Sequence, residues 1–98
     1  MRIEYLSEAT ADLAGIQRHY QALGGKTLAL RMVQGIRQAV TSLADNPLIA
    51  PTYELAPGLR RLVVSKGAFL VFYRVTDNVQ VVYIRRAEHE PLAEDEAA

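Results

Sequence analysis

The apolar residues of this chain change period once, near residue 58, and that change constrains the fold more than any other feature. Ala9, Leu13, Ile16, Tyr20 and Leu23 recur at three- and four-residue spacing, and so do Ala29, Val33, Ile36, Val40 and Leu43. Each set draws one buried stripe down a helix, and Leu30 and Met32 broaden the second. From Leu59 onward, β-branched and aromatic residues gather in three short runs separated by turn residues, which is the signature of strands. Helices followed by strands, rather than the two alternating, specify an α+β domain.

Punctuation residues place the boundaries. Residues 2–6 predict a short N-terminal strand, and Ser7 is placed to cap the first helix, with Glu8 and Asp12 favoured near its positive end. Gly24-Gly25 predicts a tight turn into a second, antiparallel helix starting near Lys26, and Asn46-Pro47 ends it, because proline disfavours helical geometry in the residue before it. Residues 47–58, with three prolines and a glycine, read as a loop. Strands over 59–65, 68–75 and 79–86, turning at Lys66-Gly67 and Asp77-Asn78, form a three-stranded antiparallel meander packed on the helices. Alternation along the middle strand sets Phe69, Val71, Tyr73 and Val75 on one face and Leu70, Phe72 and Arg74 on the other. The helix pair covers one face. The other is more apolar than a solvated sheet needs, so a tail or a partner is expected there.

At 98 residues, half of them apolar, the chain is expected to form one domain over residues 1–90, followed by an acidic tail over 91–98. With no cysteine there is no disulfide framework or thiolate chemistry, and His19, His89 and scattered carboxylates do not resemble a zinc set, so no cofactor and no metal are expected. The N-terminal MRIEYL lacks the apolar run of a signal peptide, and no stretch approaches the about 20 apolar residues of a membrane span. The expected setting is the cytoplasm, without membrane contact.

A formal net charge of zero conceals strong segregation. Residues 59–86 hold Arg60, Arg61, Lys66, Arg74, Arg85 and Arg86 against the single acid Asp77. Residues 87–98 hold Glu88, Glu90, Glu94, Asp95 and Glu96 with no Lys or Arg. Blocks of like charge repel themselves, so either a charged partner or the tail is expected to meet the basic segment.

The chain carries no nucleotide-binding glycine loop, zinc-binding His-Glu helix or nucleophile elbow, which leaves arginines on strands as its chemistry. Arg60 and Arg61 face opposite sides of their strand, as do Arg85 and Arg86, so one of each pair can join Arg74 on the open face. Clustered guanidiniums suit phosphates because their planar fork gives bidentate bonds, and in RNA cleavage they can stabilise a developing pentavalent phosphate. The bland alternative lays each stem over apolar surface with its head in water. His89 stands beside Glu88 and Glu90, whose carboxylates favour the imidazolium; a catalytic acid and a solvated loop residue both fit it. His19 reads as a surface residue, and Tyr73 and Tyr83 as core.

The order of strand, helical hairpin and meander resembles the RelE/ParE toxin superfamily. Its most specific carriers are Pro57-Gly58-Leu59-Arg60-Arg61-Leu62-Val63-Val64 and Phe69-Leu70-Val71-Phe72-Tyr73-Arg74-Val75, supported by Ala11-Asp12-Leu13 and Leu43-Ala44-Asp45-Asn46-Pro47. The resemblance implies the toxin of a type II toxin–antitoxin pair, neutralised by a cognate antitoxin. RelE-like members cut messenger RNA on the ribosome, whereas ParE-like members inhibit DNA gyrase and are not nucleases. Phe69 and Leu70 stand where RelE-like members place a catalytic arginine, and residues 87–98 hold no aromatic, so the ParE-like branch is favoured. A departure is that the last strand runs quickly into acid at Glu88-His89-Glu90.

These implications give a target-binding set of Arg60, Arg61, Arg74, Arg85 and Arg86, and an antitoxin-binding set of Leu70, Phe72, Val82 and Ile84. The enzyme alternative, a ribosome-dependent endoribonuclease acting on mRNA, would draw on Arg60, Arg61, Arg74, Arg85 and His89. Another alternative is an inactive interaction module. Assembly is expected as a homodimer or a toxin–antitoxin hetero-oligomer.

Overall fold

The computed structural model describes residues 1–89. Along them run β1 (Ile3–Tyr5), α1 (Ser7–Gly24), α2 (Lys26–Thr41), β2 (Thr52–Tyr53), β3 (Ala56–Val64), β4 (Phe69–Val75) and β5 (Val79–Arg86). The five strands form one sheet in the order β1-β5-β4-β3-β2. The expected meander is its centre, antiparallel throughout, and the N-terminal strand joins it parallel to β5, with Ile3 opposite Val79 and Tyr5 opposite Val81.

Three local expectations change. Leu6, with extended backbone, occupies the cap position of α1 without a side-chain bond, and Ser7 is the first helical residue. The β3–β4 turn is centred on Ser65 and Lys66, both at positive φ, with Gly67 following. The loop after α2 contains a 3₁₀ turn, Ser42–Ala44, and a two-residue strand, β2. β2 escapes a periodicity argument because two residues have no period.

Both helices lie on one face of the sheet. Leu13 and Ile16 of α1 and Val33, Ile36 and Val40 of α2 pack with Val64, Phe69, Val71, Val81 and Ile84. A smaller cluster of Leu43, Ala50, Tyr73 and Val79 closes the far end of the same face. Its lid is the loop before β2: the Tyr73 hydroxyl donates to the Pro47 carbonyl at 2.7 Å, and Arg60 Nη1 donates to the Ala50 carbonyl at 2.7 Å. These bonds satisfy loop carbonyls that burial would otherwise leave without partners. No helix among the described residues is long and apolar enough to cross a membrane.

Candidate functional site

Strand register decides which arginines share a surface. Arg61 stands opposite Phe72, Leu70 opposite Arg85, and Arg74 opposite Gln80, so Arg61, Arg74 and Arg85 belong to the face that the helices leave open. Arg60 stands opposite Tyr73 and Arg86 opposite Phe69, on the helix side. The expected division of each arginine pair therefore holds. The five arginines of the expected target-binding set are thus divided between the two faces.

Three of the five are engaged by the fold itself. Arg60 holds the Ala50 carbonyl. Arg85 reaches past the outer edge of β5 to α1, where its guanidinium meets Glu8 at 2.7 Å and Asp12 at 2.6 Å. Burial alone would lower the Arg85 pKa, but the two carboxylates more than offset it and the group is held above its ordinary value. Arg86 pairs with Glu88 at 2.6 Å and lies 3.0 Å from His19 Nε2. Because a guanidinium only donates, this contact requires the His19 ring nitrogen to accept. His19 is thus half-buried and stacked edge-on against Tyr20, rather than the loose surface residue expected. Asp12, Gly15, His19, Ile84, Arg85 and Arg86 line a cleft of about 280 Å³ between α1 and β5, but its cations are already met by carboxylates of the same chain.

Arg61 and Arg74 differ. Among the described residues neither has a carboxylate within ion-pair distance. Arg74 is exposed, and its Nε donates to Gln80 Oε1 at 2.8 Å; the Gln80 amide in turn donates to Glu4 Oε1 at 3.1 Å. A polar row thus crosses β4, β5 and β1. The Arg61 guanidinium lies 5.2 Å from the centre of the Tyr53 ring, and that of Arg85 lies 4.3 Å from Tyr83, both within cation–π range.

Between those guanidiniums lies an aromatic floor. Phe72 is fully buried although it faces away from the helices, because Tyr53 packs on it at 5.0 Å and Tyr83 at 4.6 Å. Tyr53, which carried no expectation, therefore lies over Phe72 on the open face, beside Arg61. Its signal in the sequence was only an aromatic inside a proline-rich loop. A bulge beside Phe72 leaves Val82 as an extra residue on β5 and sends Tyr83 back to the open face.

The expected antitoxin-binding set needs correction. Leu70 and Phe72 do face the open side, but Phe72 is sealed beneath Tyr53 and Leu70 is 7% exposed. Val82 is half-buried at the bulge. Ile84 lies on the helix side in the main core, 2% exposed, and has no surface to offer a partner. The large apolar residues that do reach solvent near this part of the sheet are Val63 and Leu55, with Leu48 and Ile49 in the loop before β2. His89 ends a 3₁₀ turn over Ala87–His89; its side chain and the whole expected tail lie outside the described residues. Among the described residues no group of three or more His, Cys, Asp or Glu side chains is placed to hold a metal ion.

A helical hairpin on one side of a five-stranded sheet, with cations and an aromatic floor on the other, places the chain in the RelE/ParE superfamily of type II toxins. The family model described as "ParE toxin of type II toxin-antitoxin system, parDE" matches residues 3–91, and the chain belongs to that family. Among solved structures it is similar to one described as the chromosomal ParDE TA system from P. aeruginosa, with 32% identity and a TM-score of 0.80 over 88% of this chain and 95% of that one. No curated protein matches the chain.

Proposed function

We propose that this toxin acts by docking rather than by bond cleavage, that its target is DNA gyrase, and that a cognate antitoxin neutralises it by covering the same open face. The observation that carries this reading is the split among the arginines. Arg60, Arg85 and Arg86 are held by partners within the chain, while Arg61 and Arg74 stand on the open face with no carboxylate among the described residues. A guanidinium keeps its proton at any physiological pH, so it binds anionic groups well and shuttles protons poorly. Such a pair beside an aromatic floor suits a large acidic partner, with aromatic and arginine side chains as the anchors that dominate interface energies. Val63, exposed on the same face, extends this surface for the antitoxin.

The test is growth and supercoiling in parallel. Expression of the chain alone is expected to arrest a sensitive host, co-expression of the antitoxin to restore growth, and the purified protein to inhibit gyrase supercoiling. An Arg61→Ala, Arg74→Ala double variant should lose the inhibition. A harmless chain that leaves gyrase untouched would refute the reading, and codon-spaced cuts in translated mRNA would replace it with the ribonuclease.

A further inference from the structure

The first five residues, Met1-Arg2-Ile3-Glu4-Tyr5, are apolar at odd positions and charged at even ones. Ile3 and Tyr5 pack against the helix-side core, and Met1 before them is 51% exposed. Glu4 turns to the other side of the sheet, where it accepts the Gln80 amide at 3.1 Å, and alternation sets Arg2 on that side with it. The charges are also ordered, with a cation one residue before Ile3 and an anion one residue after it. Such a strand is complementary to itself. When a second copy runs antiparallel with Ile3 opposite Ile3, each Arg2 stands opposite the Glu4 of the other copy.

β1 has an edge to offer that copy. It ends the sheet and pairs only with β5. The Val79 N–H donates to the Arg2 carbonyl at 2.8 Å and the Leu6 N–H to the Val81 carbonyl at 3.0 Å, which fixes the even-numbered residues as those whose backbone groups face β5. The N–H and C=O groups of Ile3 and Tyr5 therefore point the opposite way, and among the described residues no hydrogen bond reaches them. Other edges are guarded, the far end of β5 by Asp12 and part of β3 by β2. The outer edge of β1 has no proline, no bulge and no carboxylate cap. Arg2 is exposed and belongs to no ion pair among the described residues.

We propose that two copies of this chain join antiparallel through β1, with Ile3 opposite Ile3 on a two-fold axis, so that their five-stranded sheets become one continuous sheet. The facing Ile3 residues exchange both N–H···O bonds, and each Tyr5 N–H donates to the Met1 carbonyl of the other copy. On the helix side the contact is apolar, Ile3 on Ile3 and Met1 on Tyr5. On the open side each Arg2 meets a Glu4 in a non-hydrogen-bonded pair, where Cα atoms are about 4.5 Å apart and side chains are closest. Gln80 holds only Oε1 of Glu4, which leaves Oε2 for the arginine. Centring the pairing on Glu4 instead would set two carboxylates against each other, so charge selects the register.

The contact is small, so association is weak and depends on concentration. Its consequence is that the open faces of the two copies lie on the same side of one sheet. The dimer does not depend on the gyrase reading, since β1 supplies neither Arg61 nor Arg74.

Sedimentation of the full chain between about 5 µM and about 1 mM is expected to show the mass rising from one copy towards two. Arg2→Glu and Glu4→Arg should each weaken association about tenfold, because like charges then face each other in both pairs. Mixed in equal amounts, these two variants should associate at least as tightly as the unsubstituted chain, since each supplies the charge the other lacks. Amide exchange at Ile3 and Tyr5 of the unsubstituted chain should slow as concentration rises, a readout that needs no variant to fold. A chain that stays monomeric over the whole range would overturn the proposal. So would a dimer whose Ile3 and Tyr5 amides exchange at an unchanged rate, or a mixture that associates no better than its components. Protection of these amides only in a complex co-purified with the antitoxin would assign the edge to that partner and equally defeat the second copy. An Arg61→Ala, Arg74→Ala variant should dimerise as the unsubstituted chain does, and its failure would move the contact to the open face. None of these readouts uses toxicity, so the dimer and the gyrase reading succeed or fail separately.

Discussion

The Oδ2 atom of Asp12, in the second turn of α1, accepts the backbone N–H of Ile84 at 2.9 Å and an Nη1–H of Arg85 at 2.6 Å. β1 pairs with β5 only from Val79 to Val81, and the Leu6 N–H reaches the Val81 carbonyl just beyond. Past that point the edge of β5 has lost its neighbouring strand, and Asp12 supplies an acceptor from a helix in its place. A carboxylate there also blocks the addition of a foreign strand at that edge.

Replacing Asp12 with Ala should therefore destabilise the fold by about 1–3 kcal/mol, the cost of stranding a partly buried donor. Asp12→Asn keeps an oxygen for Ile84 but removes the charge facing Arg85, and should cost less. Urea unfolding of the two variants measures this. Equal and negligible losses would show that the edge does not depend on Asp12.

Tyr73 makes the fold sensitive to alkali. Its phenol is fully buried, and burial pushes its pKa above the ordinary value, with the Ala50 backbone and nearby Arg60 offsetting only part of that. The folded state thus holds the proton more tightly than the unfolded state. Stability is unaffected below about pH 10, where the unfolded phenol is still protonated, and falls as pH rises from there through the folded pKa. Tyr5, raised chiefly by burial with Arg37 opposing, acts in the same direction. Tyr73→Phe should cost about 1 kcal/mol at neutral pH, from the lost bond to Pro47, and flatten the alkaline decline. Melting temperatures between pH 8 and pH 11 would show it. An unchanged slope would mean that Tyr73 does not ionise on unfolding.

The elements legible in the sequence were those with enough residues to show a period. Ala9, Leu13 and Ile16, and Val33, Ile36 and Val40, face the core as their spacing requires. Alternation also divided Arg60 from Arg61 correctly. Ile84, placed in the expected antitoxin-binding set, turns to the helix side because the bulge at Val82 shifts the phase of β5 against β4, and nothing in Val79–Arg86 announces an extra residue. The internal engagement of Arg85 was hidden for another reason. Glu8 and Asp12 precede it by more than seventy positions, and only the parallel docking of β1 beside β5 brings α1 to that edge. Charge counts along the chain treat such a guanidinium as available when the fold has already used it.

The turn between β3 and β4 stores removable strain. Ser65 and Lys66 have φ of 57° and 58°, a region that side chains with a Cβ enter at a cost of about 1–2 kcal/mol each. Both are exposed, so the cost is not repaid by burial of their side chains. Lys66→Gly should raise stability by about 0.5–1 kcal/mol, the relief being reduced by the greater freedom of glycine in the unfolded chain. Chemical denaturation measures the gain, and a loss would indicate that the lysine stem packs on the hairpin.

Arg60 and Arg61 are adjacent in sequence and should give opposite phenotypes. Arg60→Ala removes the charged donor to the Ala50 carbonyl and loosens the loop that covers Leu43 and Tyr73, so it should cost about 1.5–3 kcal/mol. Arg61→Ala loses a cation–π contact with Tyr53 worth about 0.5–1 kcal/mol, leaves the core untouched and removes half of the open-face guanidinium pair. Growth arrest at a temperature where both variants remain folded should then survive Arg60→Ala and weaken in Arg61→Ala. If toxicity instead tracks the melting temperature of the two proteins, the open face is not where the target binds.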